Sequence, residues 1–221
     1  MVTLRSLFLS ALALSASAAP VFASNIVLNP DFYANGLNGY MEIADWTSSS
    51  SGVNTGSQAN TGNAFWDNGT VPVGTTSVGF IQVNPSEGQF PAVPTDSLSQ
   101  DLSLDIGAVY TLSYLENARA FNGISPEVEV LVGGNVVVPQ SIVAPVGPVS
   151  SLNPFQLVTT TFTATASTET LQFLVSQQNS NDDATFLVTN VNVSAAPEPG
   201  TTGLMFSALG MLGFAVRRFA R

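Results

Sequence analysis

The sequence predicts an all-β protein, an antiparallel two-sheet β-sandwich flanked by two apolar ends. Three observations predict it. Between the ends, short runs alternate apolar and polar residues, as strands buried on one face do. Clusters of Gly, Pro, Asn and Ser such as "NPSEGQFPAVPTD" and "VGGN" punctuate those runs. Helical periodicity is almost absent from the same region, and no repeat of fixed period suggests a solenoid or propeller. Residues 1–23, 24–196 and 197–221 form three parts, which are taken in chain order.

The first part reads "MVTLRSLFLSALALSASAAPVFAS". Arg5 precedes an apolar stretch from Leu7 to Leu14, and Val21-Phe22-Ala23 sets a branched residue and a small residue before Ser24. This is the layout of a secretory signal peptide cut between Ala23 and Ser24. Its apolar core falls short of the roughly twenty residues that span a bilayer.

In the second part "NIVLN" reads as an opening strand. From Thr47 to Gly62, "TSSSSGVNTGSQANTG" has Val53 and Ala59 as its only apolar residues and predicts a long exposed loop. "SVGFIQV" and "SLSQDL" read as strands. "VYTLSYLEN" places Tyr110, Leu112 and Tyr114 on one face, and "EVEVLV" places Val128, Val130 and Val132 inward with Glu127 and Glu129 outward. "FQLVTTTFTAT" is rich in Thr and Val, "TLQFLVS" aligns Leu171, Phe173 and Val175, and "ATFLVTNVNV" is a β-branched final strand. Eight or nine strands result. With no lysine in this part, Glu127, Glu129, Pro139 and Pro145 are expected to guard the sheet edges.

The third part ends the chain with "APEPGTTGLMFSALGMLGFAVRRFAR". Leu204 to Val216 carries no charge, and extended back to Thr201 it makes about 24 Å of helix. Arg217, Arg218 and Arg221 follow and can snorkel to complete a single transmembrane crossing. They hold that end on the cytoplasmic side, so the body lies outside. Pro197-Glu198-Pro199, an apolar helix and terminal arginines together resemble the PEP-CTERM sorting signal of Gram-negative bacteria. The resemblance implies a membrane peptidase partner, the exosortase, that cuts near the Pro-Glu-Pro motif. A permanent C-terminal anchor is the alternative reading of the same helix and arginines.

Composition excludes several functions. Residues 24–196 hold one base, Arg119, against fourteen acids, a net of −13. Such a body repels nucleic acid and anionic headgroups and suits neutral glycans or cations. The chain has no Cys and no His, which removes thiol and histidine catalysis and imidazole zinc sites. Carboxylates remain, and the acids are expected mainly in turns and on outward strand faces. No motif supplies the paired geometry of a glycosidase, so the protein reads as non-enzymatic. Arg119 is expected to pair with Glu116 or Glu127.

"NIVLNPDF", Trp46-Thr47, "LSQDLSLDIGAVYTLSYLENAR" and "FLVTNVNV" resemble jelly-roll domains related to carbohydrate-binding modules. That resemblance implies a jelly-roll-like, galactose-binding-like sandwich over residues 25–194, with Trp46 in its core. It also implies a structural calcium held by acids of the opening segment and an Asp of the last strand. Here Asp31 is kept, but Pro30 replaces Gly, Tyr33 stands for Glu and Thr189 stands for that Asp. Asp182 and Asp183 in "NSNDDAT" suit two readings, a calcium loop or a hairpin turn. Trp66 and Asp67, with Tyr33 and more weakly Tyr40, are the candidates for a sugar platform.

Three functions follow. The leading one is an exported, non-enzymatic surface or matrix protein processed at its tail and associated with exopolysaccharide or biofilm. The second is an adhesive surface protein that binds protein or ice. The third is a carboxylate-based glycan-acting enzyme.

Overall fold

The computed structural model describes residues 23–33, 39–49, 54–59, 77–83, 96–119, 125–144, 155–177 and 184–196. Among them are eleven strands and no helix. The strands are β1 (Gly39–Tyr40), β2 (Thr47–Ser48), β3 (Thr55–Ala59), β4 (Ser77–Val83), β5 (Asp96–Ser103) and β6 (Val109–Arg119). They continue with β7 (Pro126–Val132), β8 (Asn135–Ile142), β9 (Gln156–Thr163), β10 (Thr168–Gln177) and β11 (Ala184–Ala195). A six-stranded sheet runs β1-β3-β4-β11-β6-β9 and a five-stranded sheet β2-β5-β10-β7-β8, with every pairing antiparallel.

The core lies between the sheets, where the expected alternation puts it. Tyr110, Leu112 and Tyr114 of β6 face Val128, Val130 and Val132 of β7 and Leu171, Phe173 and Val175 of β10, all buried. Trp46 is buried as expected, with its ring 4.5 Å from Phe32 and 6.1 Å from Phe173. Its indole N–H donates to the Asn29 carbonyl at 3.1 Å, so the polar edge of a buried ring has a partner.

The opening segment is held by side chains rather than by a sheet ladder, so "NIVLN" forms no strand. Asn25 donates to the Val191 carbonyl and accepts from the Val193 N–H, while Ile26 donates to the Val193 carbonyl. The buried amide of Gln100 bonds both the N–H and the carbonyl of Leu28. Asn29 and Phe32 adopt positive φ of 45° and 56°, a strained conformation for a buried phenylalanine. Packing compensates, because Phe32 lies over Gly79, where any Cβ would come within 2.5 Å of its ring.

Three expectations need correction. The stretch from Thr47 to Gly62 is not one exposed loop, since it contributes β2 and β3, and Asn54, Thr55 and Ser57 are buried. These polar residues tolerate burial through bonds across the fold. Asn54 donates to Asp96, the Thr55 hydroxyl to Ser48, and the Ser57 hydroxyl to the Phe32 carbonyl at 2.6 Å. Second, Glu127 and Glu129 guard no edge, because β7 lies between β10 and β8. Pro139 does sit on an edge strand, β8; Pro145 lies outside the described residues. Third, the acids are not confined to turns and outward faces. Asp96 and Glu169 are buried, and the alternation of β6 turns Glu116 inward beside Tyr114. The pairing expected of Arg119 falls on a side chain outside the described residues; Glu116 hydrogen-bonds Tyr114, and Glu127 accepts from Gln140.

The sandwich has two unlike poles. At one, short turns link β5 to β6, β7 to β8 and β9 to β10, and residues 23–25 and 195–196 lie beside them. At the other, the strand ends are joined by longer segments, 84–95, 145–154 and 178–183 among them.

Candidate functional site

The side of the six-stranded sheet that faces away from the core is not an ordinary surface. β4 is buried at every position and β11 through its first six residues. Strands buried on both faces read as unbroken apolar or β-branched runs, as "SVGFIQV" and "ATFLVT" do. On this outer face Val78, Phe80 and Leu187 form a second apolar cluster, and Phe155 packs against it.

Strand register assembles the site. Tyr40 pairs with Gly56, Gly56 with Phe80, Phe80 with Leu187 and Leu187 with Asn117, which makes one row across five strands. The adjacent row carries Gln82 and Thr185 as direct partners. Gly56 is required there, because a Cβ would meet the Gly39 carbonyl oxygen at 2.0 Å and the Phe80 ring at 2.5 Å. Tyr40 is exposed at the edge of this face, stands edge-on to Phe80 at 5.3 Å, and its hydroxyl bonds the Gln82 side-chain oxygen.

Three polar side-chain atoms are buried without a hydrogen-bond partner among the described residues: Asn117 Nδ2, Thr185 Oγ1 and Asn192 Oδ1. Alternation along β6 and, in β11, a bulge between Thr189 and Asn192 that shifts the alternation by one residue place all three on this same face. Asn117 is 2% exposed and Thr185 1%. An unmet buried polar group costs about 1–3 kcal/mol, so three on one face concentrate unused hydrogen-bonding capacity there. Together they offer an amide donor, a hydroxyl and an amide acceptor, with no formal charge.

The residues singled out from sequence are distributed differently. Trp66, Asp67, Asp182, Asp183, Pro197, Glu198, Pro199, Arg217, Arg218 and Arg221 lie outside the described residues. Tyr33 is exposed and its backbone closes a ring of bonds with Asn29, apart from the row just described. Tyr40, the weaker candidate, does join the site. Phe80, Gln82, Asn117, Thr185 and Asn192 were not foreseen. The available signal was the unbroken burial pattern of two strands.

The calcium set implied by resemblance does not fit the described residues. Thr189, at the position of the expected Asp, donates its hydroxyl to the Ser77 carbonyl at 2.7 Å. Ser77 in turn donates to the Asp31 backbone carbonyl at 2.5 Å. Neutral hydroxyls thus join the opening segment to the last strand, and no cluster of three metal-ligating acids occurs among the described residues.

Two inward carboxylates have opposite electrostatics. Burial raises Glu116 above the usual carboxylate range, against the opposing effect of the Tyr114 bond; burial and Glu116 together raise Tyr114. Glu169 accepts from the Thr165 hydroxyl and N–H and the Ala166 N–H, which holds it below that range. One caps a turn and the other is bonded to a tyrosine.

Comparison with known proteins identifies the end of the chain. Residues 195–218 match the PEP-CTERM protein-sorting motif. The tail is a sorting signal. PEP-CTERM tails mark exported proteins sorted to the cell envelope, and the motif implies exosortase processing. No curated protein matches the chain by sequence. Among solved structures, a cyclase from Fischerella sp. TAU is similar at 18% identity and a TM-score of 0.55, over 80% of this chain and 100% of that one. The same cyclase in complex with 4-(1H-indol-3-yl)butan-2-one gives 18% and 0.56, over 80% and 99%. TmCBM61 in complex with β-1,4-galactotriose gives 12% and 0.49, over 79% and 100%. At 18% identity the likeness to the cyclase shows the fold alone.

Proposed function

We propose that this PEP-CTERM protein is an exported, non-enzymatic surface protein whose jelly-roll-like sandwich binds neutral carbohydrate on the outer face of its six-stranded sheet. In this reading the signal peptide leads the body out, and the C-terminal helix holds it in the inner membrane until exosortase cuts. The mature protein then works in the exopolysaccharide or biofilm matrix. The observation that carries the binding claim is the set of three unpartnered buried polar atoms, Asn117 Nδ2, Thr185 Oγ1 and Asn192 Oδ1, on a face edged by the exposed ring of Tyr40.

Sugar hydroxyls both donate and accept, so those of an extended glycan can match an amide N–H, a hydroxyl and an amide oxygen spread along the face, with Thr185 level with Arg119 and Asn192 with Ser113. An aromatic edge supplies apolar contact for a pyranose face. The ligand is neutral because a body of net −13 repels acidic polymers. Among the described residues no carboxylate joins the row, and Glu116 faces the opposite side of β6.

The test is capture of the protein by the producing bacterium's own extracellular polysaccharide and by a panel of neutral glycans, with product analysis after long incubation. Retention without new reducing ends supports the reading. Retention by none of them refutes the binding claim, and released sugar refutes the non-enzymatic one. Mass spectrometry of the C-terminus of recovered protein tests processing separately, with an end near Pro197-Glu198-Pro199 expected.

A further inference from the structure

The pole where the described body begins and ends, at residues 23 and 196, also carries a cavity of about 470 Å³, lined by Ser24, Leu104, Asp105, Tyr110 and Ala195 among others. Both processing points of the proposed pathway therefore meet in one place. Ser24 would be the first residue after signal cleavage, and Ala195 stands two residues before Pro197. The ends are fastened there. Ile26 donates to the Val193 carbonyl at 2.9 Å, and the Ala196 N–H donates to the Val109 carbonyl at 2.8 Å. No slack precedes the Pro-Glu-Pro motif, since hydrogen bonding to the sheet continues up to the residue before it.

From this geometry we propose that the pole bearing the two ends is the face the domain turns toward the lipid surface while its tail is in place. The inference rests on the reading of the tail as membrane-inserted. Seven residues, Pro197 to Gly203, separate Ala196 from the apolar run that begins at Leu204. Even fully extended they reach about 28 Å, so this pole stays within that distance of the headgroups. The opposite pole stands farther off by the length of β11, whose twelve residues span roughly 40 Å. The surface beside the exit suits proximity to lipid, because Ile106 and Val109 are 69% and 45% exposed there, on the turn whose backbone receives Ala196. Before cleavage, the N-terminal apolar segment leaves from the same pole, so both ends can enter one membrane without crossing the domain.

The chain has no cysteine, which makes single-cysteine labelling clean. Ile106→Cys reports the pole of the ends and Ile142→Cys the opposite pole; both side chains are more than half exposed. Each full-length variant is labelled with a fluorophore and reconstituted into phosphatidylcholine vesicles containing a headgroup-nitroxide lipid. Flotation with the vesicles and stronger quenching at position 106, by roughly threefold or more, is the expected result given those lengths. Flotation with equal quenching, or stronger quenching at 142, overturns the orientation while leaving the anchor intact. Failure to float overturns the membrane-inserted tail and the orientation with it.

Discussion

On the outer face of the five-stranded sheet, polar side chains are paired with one another. The Thr170 hydroxyl donates to Asp101 at 2.6 Å, Gln172 donates to Ser97 at 3.1 Å, and Gln140 donates to Glu127 at 2.8 Å. On the outer face of the six-stranded sheet, Asn117, Thr185 and Asn192 each keep a buried side-chain atom unmatched. The first face is a solvated surface that satisfies itself. The second surrounds unmet polar atoms with apolar residues, an arrangement that folding alone does not favour. The difference between the faces is one of hydrogen-bond satisfaction, complete on one and unfinished on the other.

The inner face repeats the lesson in its carboxylates. Glu169 receives three hydrogen bonds from the turn it caps, so its charged form is favoured. Glu116, deep beside Tyr114, has its charged form penalised by burial. The donors available to each, rather than depth alone, separate them.

Truncation of the apolar floor of the six-stranded sheet is the largest expected effect. Phe80→Ala should lower unfolding free energy by about 3–5 kcal/mol in urea, as a fully buried core phenylalanine does. Leu131→Ala on the outer face of the five-stranded sheet, where the side chain is half-buried, should cost less than half of that. Equal costs would break the distinction between the faces.

Next comes the charged cap. Glu169→Ala removes three bonds to a carboxylate and should cost about 2 kcal/mol near neutral pH. The folded-state pKa of Glu169 is depressed, so its stabilisation is present above the ordinary carboxylate range and is lost as pH falls through the folded value. Thermal unfolding from pH 7 to pH 3 should show wild type and variant converging at the acid end.

Smaller, and of opposite sign on the two faces, are the threonine replacements. Thr185→Val removes an unmatched buried hydroxyl and should stabilise the protein by about 1 kcal/mol. Thr170→Val breaks the bond to Asp101 and should destabilise it by up to about 1 kcal/mol. Calorimetry that finds the same sign for both contradicts the account of unmet groups.

The smallest effect concerns Glu116. Its folded-state pKa is raised, so its contribution is greatest below the ordinary carboxylate range and declines as pH rises through the folded value. Glu116→Gln should flatten the fall in melting temperature between about pH 4 and pH 7. An unchanged pH profile in the variant would assign that fall to other groups.

Much of the fold was legible in the sequence, and the reason is periodicity. In β6, β7 and β10 one face is apolar and the other polar, so the inward sets around Leu112, Val130 and Phe173 could be read directly. β3 was illegible because "TGSQA" has no apolar face; its hydroxyls are met from outside the strand, Thr55 by Ser48 and Ser57 by the Phe32 carbonyl. The site was hidden for a related reason. Asn117 lies in a strand whose pattern assigns it to solvent, and only the pairing of β6 with β11 and β4 brings it beside Leu187 and Phe80. Tyr40 was visible as an aromatic among polar residues, but its partner row was not. The tail was the most legible part, since its three features are contiguous and local.

The central claim is that the outer face of the six-stranded sheet binds neutral carbohydrate. Affinity electrophoresis through gels containing neutral polysaccharides tests it most directly, with wild type run beside Tyr40→Ala/Thr185→Val and Thr170→Val. The account predicts that wild type and Thr170→Val are retarded alike by at least one polysaccharide. The double variant, still folded by circular dichroism, should lose at least about tenfold in affinity, or roughly 1.4 kcal/mol. Equal retardation of all three proteins, or of none in any polysaccharide, would contradict it.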